Sequence, residues 1–440
     1  MQPWYFNHRV ILSTAFILRF AVVTLVILFY PERAVLTDSV GYLTIAQNMA
    51  EHASFSTSTE APILPDMMRT PLYPALLYVF QFTGSAKTLM LIFQLVISFL
   101  SCYYLIKLTQ KITGNAKAAA ISGWFMALDI LSIVFTGFIL TETIFSFLLI
   151  LFLWHLVHYF ENKSVRSILL SSLFLALALL CRPIALFLPV WILLCFILFF
   201  RKTVLFKHAT FFLLPVSILT GSWILRNYMV FETPFFTRIG TFNVAWFQAS
   251  MTKAEAENSS VENARWELFN DAAKKMKTLP ANDPITFYDE LRAQSREVIF
   301  DNPGIALKNV VKAEGNLLFR PSTGYISHLL GIADLPNNHG VEKIWPSASI
   351  KILVAFQFLL LFLLYAGCII LFFYRKNQTN KSLYLLIFLI FIYFLIPGTG
   401  PEMEARFRIP LLPMLSILSA SGWIMFIKRK QKNESNTSPC

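Results

Sequence analysis

Apolar runs of roughly 17–25 residues, each long enough to cross a bilayer as a helix, recur along the whole chain. They fall at 10–30, 88–108, 118–136, 139–158, 165–181, 183–200, 208–226, 350–373, 382–397 and 409–427, ten candidate spans in 440 residues. Charged residues make up only 14% of the sequence, against about 25% in soluble domains. Lipid offers no hydrogen bonds to the backbone, so a spanning segment must satisfy its own, as a helix does. An all-α polytopic membrane protein with about ten transmembrane helices is therefore expected. The weakest spans are 118–136, interrupted by Asp129, and the short pair within 165–200. The first run is too long for the apolar core of a cleavable signal peptide and lacks a small-residue cleavage site, so it reads as an anchor.

Orientation follows from where Lys and Arg lie in the short loops. With the N-terminus in the cytoplasm, sixteen basic residues fall in inside loops, among them Arg9, Lys111, Lys163 and Arg429. Six fall in short outside ones: Arg33, Arg69, Lys87, Arg182, Arg406 and Arg408. Both termini are then cytoplasmic, and 31–87 and 227–349 are outside. The second of these holds 12 basic and 14 acidic residues, so the net charge of +12 reports topology and not a nucleic-acid partner. The division expected is a transmembrane catalytic core, 1–228, with its first outer loop at 31–87. An extracytoplasmic helical segment follows at 229–349, then C-terminal transmembrane helices at 350–428 and a basic, polar cytoplasmic tail at 429–440.

Four of the five cysteines lie in or beside spans and Cys440 ends the chain. The outer segments therefore carry no disulfide framework. No His or Cys pair has metal-ligand spacing, and no phosphate-binding loop, HExxH or DxD occurs.

The outer loops hold the remaining chemistry. Asp38 follows the first span, at the head of an amphipathic stretch, 40–52, that suits a helix lying at the membrane interface. A carboxylate held there can reach a lipid headgroup. The segment Asp66-Met67-Met68-Arg69-Thr70-Pro71-Leu72-Tyr73-Pro74 leads into an apolar stretch, 75–82, too short to span. Its prolines predict a rigid return toward the membrane. Within 227–349, helices are predicted over 253–277, 285–301 and 303–319, with Pro303 in a first turn, and an irregular loop over 320–349.

In order along residues 9–427, these features resemble the GT-C superfamily of integral-membrane glycosyltransferases. The closest branch is that of protein O-mannosyltransferases and the lipid A aminoarabinose transferase. Asp38 with Tyr42 and Ala46 is similar to the family's acidic first-loop motif, and Arg69-Thr70-Pro71-Leu72-Tyr73-Pro74 to its basic-Pro-Tyr-Pro segment. Thr141-Glu142-Thr143 resembles the acidic start of the fourth span, and Leu180-Cys181-Arg182-Pro183 the basic-Pro break between two spans. Trp223-Ile224-Leu225-Arg226-Asn227-Tyr228 is similar to the Trp-x-x-Arg-Asn-Tyr exit from the seventh. Glu404-Ala405-Arg406-Phe407-Arg408-Ile409-Pro410 resembles the start of the last span, with Phe407 where Tyr is usual. The chain departs from the mannosyltransferase members at Ser39, where they carry Glu.

The resemblance implies sugar transfer from a polyprenyl-phosphate donor to a lipid, glycan or protein acceptor, with inversion. It implies Asp38 as general base, and Arg69, Arg182 and Arg406 as donor-phosphate ligands. Glu142 and Tyr42 would position the acceptor or a cation; a divalent cation is the one cofactor left open. The expected location is a bacterial inner (plasma) membrane, with the site facing outward and lipids as the other partners.

Each residue also has a plainer reading. Asp38 could cap a helix. Arg69 and Arg182 could be snorkelling anchors, although basic residues are disfavoured on that face and an anionic lipid head would supply a partner. Arg406 and Arg408 could simply begin a helix, Asp129 could bend its span, and mid-span Arg19 could be a buried structural group. Two other functions compete: a transporter or flippase of lipid-linked sugars, which should gather polar groups at the bilayer midplane, and a polysaccharide ligase or polymerase.

Overall fold

The computed structural model describes residues 3–199, 202–277, 284–332, 348–374, 380–395 and 404–437. Among them every regular element is helical. The first half contains α1 (His8–Phe29), α2 (Thr37–His52), α3 (Leu72–Gln81), α4 (Ala86–Thr113), α5 (Ala116–Leu128), α6 (Ile130–Phe135), α7 (Glu142–Asn162), α8 (Val165–Cys181), α9 (Leu188–Phe199) and α10 (Lys202–Phe231). Shorter, more polar helices follow: α11 (Ile239–Asn243), α12 (Ser250–Ala256), α13 (Val261–Lys277), α14 (Pro284–Asp301), α15 (Pro303–Phe319) and α16 (Thr323–Leu329). The chain closes with α17 (Ala348–Tyr374), α18 (Lys381–Leu395) and α19 (Leu412–Thr437).

Six helical runs are long and apolar enough to cross a membrane: His8–Phe29, Ala86–Thr113, Glu142–Asn162, Phe206–Phe231, Ala348–Tyr374 and Ala405–Gln431. Shorter apolar helices, including α5, α8 and α18, lie among them. Packing is dense between α7 and α8, α4 and α7, α1 and α4, and α17 and α19. Phe20, Phe29, Leu198, Ile352, Phe362 and Phe373 meanwhile stay exposed. Apolar surface of that extent is what lipid covers, and the chain is an integral membrane protein.

The predicted span 118–136 is two helices. Asp129 is extended (φ −64°, ψ 109°) and caps α6, its Oδ2 accepting from the Ser132 N–H at 2.7 Å. The break strands carbonyls at the end of α5, and Arg19 fills it. This fully buried guanidinium donates to the carbonyls of Met126 (2.8 Å) and Ala127 (3.1 Å) and to the hydroxyls of Ser98 (2.6 Å) and Ser132 (2.9 Å). Mid-span Arg19 is thus a structural plug: each donor replaces a hydration bond that lipid could not supply. Elsewhere, α17 and α19 approach so closely that a Cβ on Gly422 would collide with the Gly367 carbonyl oxygen. Small residues permit such contact between membrane helices.

The segment after α10 builds a small second core from Ala245, Ala249, Leu268, Ala272 and Leu291. The predicted helix 253–277 is broken. Asn258 takes a left-handed conformation (φ 51°) and the Ser260 hydroxyl caps the start of α13. A run joined by a π-helical turn, Val244–Ala249, extends from α11 through α12 and was not predicted. The stretch read as an irregular loop, 320–349, carries α16; its remaining residues 333–347, with Asn337 and Trp345, lie outside the described residues.

On α15, both carboxylate oxygens of Glu314 are buried without a hydrogen-bond partner, and burial pushes the group up to about 7. A folded-state value above the unfolded one favours the protonated form. The penalty on folding therefore grows as pH rises from about 4.5 to about 7 and is complete above that. Glu314→Gln should raise the melting temperature at pH 8 and leave it unchanged at pH 4.5. An equal shift at both pH values would show that charge is not the cause.

Candidate active site

The site forms where α2, the 66–71 segment, the start of α7, the end of α8 and the 405–411 turn meet. Helix α2 begins at Thr37 with Leu36 as its N-cap residue, and the Leu36 N–H donates to Ser39 Oγ at 2.9 Å. Ser39 therefore does the capping, which leaves Asp38 free to face the site. Its Oδ1 accepts from Arg69 Nη2 at 3.0 Å and its Oδ2 from Arg406 Nη1 at 2.9 Å. The capping reading of Asp38 does not hold.

Each arginine is set by local backbone. Asp66 Oδ1 accepts the N–H groups of Met68 (2.9 Å) and Arg69 (2.7 Å), and the Thr70 hydroxyl donates to the Cys181 carbonyl (3.0 Å). This Asx-type turn aims Arg69 back over α2, where its guanidinium stacks 5.0 Å from the Tyr42 ring. Tyr42 in turn packs on Tyr73, whose hydroxyl donates to Gln94. Arg182 ends α8 because Pro183 follows. Its Nη1 reaches Glu142 Oε1 at 2.6 Å and Thr141 Oγ1 at 3.0 Å. Arg406 links the halves, lying 4.0 Å from Glu142 Oε1 and 3.6 Å from Glu404 Oε2. Phe407, standing where Tyr is usual, lies under both Arg182 (5.6 Å) and Arg406 (5.0 Å).

Asp38, Tyr42, Arg69, Glu142, Arg182 and Arg406 are thus one connected constellation. Arg69 and Arg182, expected to be partnered by an anionic lipid head, each pair with a protein carboxylate in this structure. Arg408 does not join them. It is buried away from the constellation, its Nη1 donating to the Leu317 (3.1 Å) and Leu318 (3.0 Å) carbonyls at the end of α15, a favourable place for a cation. Arg226 serves structure as well, donating to the Asp66 carbonyl at 3.2 Å and stacking on Trp223 and Phe55.

Sequence reasoning missed two members. Glu404 approaches Arg406 and accepts a hydrogen bond from the Tyr325 hydroxyl. Glu404 stood inside the quoted Glu-x-Arg motif, which was the available signal. Tyr325 had none, since it sits in the stretch read as loop.

Electrostatically, Arg69, Arg182 and Arg406 face Asp38, Glu142 and Glu404, so formal charge balances. Exposure grades across the constellation: 33% of the Asp38 side chain is accessible against 2% for Glu142, so the constellation is open on the Asp38 side. Burial alone would raise the Asp38 carboxyl, but the facing charges of Arg406 and Arg69 outweigh it and hold the group well below the usual carboxylate range. Glu142 Oε2 is buried without a hydrogen-bond partner, and it can accept from an incoming hydroxyl. Among the described residues no three His, Cys, Asp or Glu side chains cluster for a metal, and Asp38, Glu142 and Glu404 each face a guanidinium group. An open cleft of about 590 Å³ lies beside α2, lined by Val40, Leu43, Thr44, Gln47 and Lys87 among others; none of the charged constellation lines it.

The fold is similar to that of solved integral-membrane oligosaccharyltransferases. Among solved structures, the chain matches the archaeal oligosaccharyltransferase AglB of Archaeoglobus fulgidus in complex with an inhibitory peptide and a dolichol-phosphate. That match has a TM-score of 0.54 at 13% identity over 98% of this chain and 52% of that one. The apo form of the Archaeoglobus fulgidus oligosaccharyltransferase matches with a TM-score of 0.54 at 15% identity, over 99% and 53% of the two chains. The chain therefore spans about half the length of these relatives in fold. ArnT from Cupriavidus metallidurans bound to undecaprenyl phosphate is a looser match, with a TM-score of 0.42 at 12% identity over 94% and 77% of the chains. No protein-family model and no curated protein matches the sequence.

Proposed function

We propose that the chain is a glycosyltransferase that moves a sugar from a polyprenyl-phosphate donor to a lipid, glycan or protein acceptor on the extracytoplasmic face, with inversion. The observation that carries this reading is the pairing of an accessible carboxylate, Asp38, with two guanidinium groups at one end of a GT-C bundle. The acceptor oxygen attacks the anomeric carbon as the bond from that carbon to the phosphate oxygen breaks. The lipid phosphate leaves with the electron pair, and the acceptor proton passes to Asp38. Arg69 and Arg406 hold the phosphate and offset its growing charge. Arg182 fixes Glu142, whose free oxygen orients the acceptor hydroxyl. Tyr42 supports Arg69 from below. One displacement without a covalent intermediate inverts the anomeric centre. The dolichol-phosphate held by the oligosaccharyltransferase of the same fold supports a lipid-phosphate donor.

The transporter reading is weaker on a specific ground. Arg19, the buried mid-span charge, is fully engaged by protein groups, so it offers no substrate site at the midplane. The ligase and polymerase readings require a different membrane fold.

Sealed membrane vesicles of both orientations, supplied with tritiated polyprenyl-phosphate hexoses and pentoses, test function and sidedness together. Label should move to an acceptor fraction when the donor meets the extracytoplasmic face. Transfer only from the cytoplasmic face would overturn the orientation, and no chain-dependent transfer from any donor would overturn the activity.

A further inference from the structure

We infer that Asp38 occupies the seat of the donor phosphate in the ligand-free protein, and that the incoming phosphate must displace it from Arg69 and Arg406 before it can act. The inference rests on the donor reading above and adds an order to it. Both carboxylate oxygens of Asp38 are spent, one on each arginine, at 3.0 and 2.9 Å. A carboxylate holding two guanidinium groups is a poor proton acceptor, because taking a proton would break two charge-assisted hydrogen bonds. The same two guanidinium groups are the cations that Asp38 holds, whereas Arg182 is committed to Glu142 at 2.6 Å. A phosphate that takes Arg69 Nη2 and Arg406 Nη1 takes the two donors that Asp38 holds. Base and donor therefore compete for one seat.

The competition gives the cycle a sequence. Without donor, Asp38 neutralises the arginines and the site is closed as an internal ion-pair network. Donor phosphate, with its non-bridging oxygens, replaces the carboxylate on Arg69 and Arg406. Asp38 then loses its two donors, regains basicity and faces the acceptor oxygen beside the anomeric carbon. An acceptor that arrives first meets no competent base, so donor binding precedes chemistry and water in an empty site is not activated. After transfer, Asp38 holds the acceptor proton. Once it releases that proton to solvent, it competes again for the arginines and helps expel the polyprenyl phosphate. Asp38 is more accessible than Glu404 or Glu142, which allows both the swing and the proton release.

A placeholder predicts something that a simple base does not: removing it should tighten phosphate binding. The full-length protein in phosphatidylcholine nanodiscs is titrated with farnesyl phosphate, farnesol and inorganic phosphate by calorimetry. Asp38→Asn and Asp38→Ala should each bind farnesyl phosphate at least tenfold more tightly than wild type, about 1.4 kcal/mol. Arg406→Gln should bind it at least tenfold more weakly, and Asp38→Glu should resemble wild type. Farnesol should show no dependence on residue 38. Unchanged or weaker farnesyl phosphate binding in both charge-removing variants, with Arg406→Gln still defective, overturns the exchange and leaves the arginine clamp standing. Normal binding by Arg406→Gln overturns the donor reading itself. Inorganic phosphate binding as tightly as farnesyl phosphate overturns the assignment of the seat to a lipid-linked group. Two charge-removing variants are used so that a folding defect in one, visible in its melting curve, leaves the other to decide.

Discussion

Asp38→Asn should lower turnover by roughly 10²–10⁴-fold, the range for loss of a positioned general base, while the protein melts close to wild type. The structure sharpens this expectation. A helix-capping Asp would be well replaced by Asn, but Ser39 Oγ already takes the Leu36 N–H. Among the described residues, the Asp38 oxygens accept from Arg69 and Arg406. Asn keeps one acceptor for them and cannot take a proton. Asp38→Glu keeps the charge but moves the carboxylate by one methylene, and misplacement of about 1 Å can cost 10²-fold, so it should retain only slight activity. The measurement is single-turnover sugar transfer on purified protein with saturating donor. Near-normal transfer by Asp38→Asn would eliminate Asp38 as the base.

Why was so much of this site legible in a single sequence? Asp38, Arg69, Glu142, Arg182 and Arg406 all lie at ends of apolar runs, where a charge is conspicuous against its neighbours. Their order along the chain is a pattern that helix topology converts into proximity. The spans themselves are legible for the same reason, since length and apolarity are what a bilayer demands. Partnership was less legible. Arg69 and Arg182 were expected to want an external anion, because the sequence does not show that Asp38 and Glu142 point at them; that depends on how α2 and α7 rotate. Asp129 and Arg19, 110 residues apart, gave no sign that one breaks a helix and the other fills the break. Tyr325 sits on the short helix α16, whose seven residues carry too little periodicity to be recognised.

Arg182→Met should destabilise the protein by about 3–5 kcal/mol, the usual cost of stranding one partner of a buried ion pair. Glu142 is 2% exposed and its Oε1 depends on Arg182 at 2.6 Å, while the other oxygen has no hydrogen-bond partner at all. Arg406 remains 4.0 Å away, which softens the loss toward the lower end of that range. A snorkelling arginine would behave differently, since exposed pairs contribute about 0–1 kcal/mol. The double variant Glu142→Leu/Arg182→Met removes both charges and should recover most of the stability, because a buried pair replaced by apolar groups is often neutral. It should not recover sugar transfer, since the oxygen that orients the acceptor is gone. Denaturant titrations in mixed micelles measure the first effect and transfer assays the second. A single variant no less stable than wild type would mean that Glu142 is solvated or protonated. The pair would then be incidental to the fold, and Arg182 would be free to act on the donor directly.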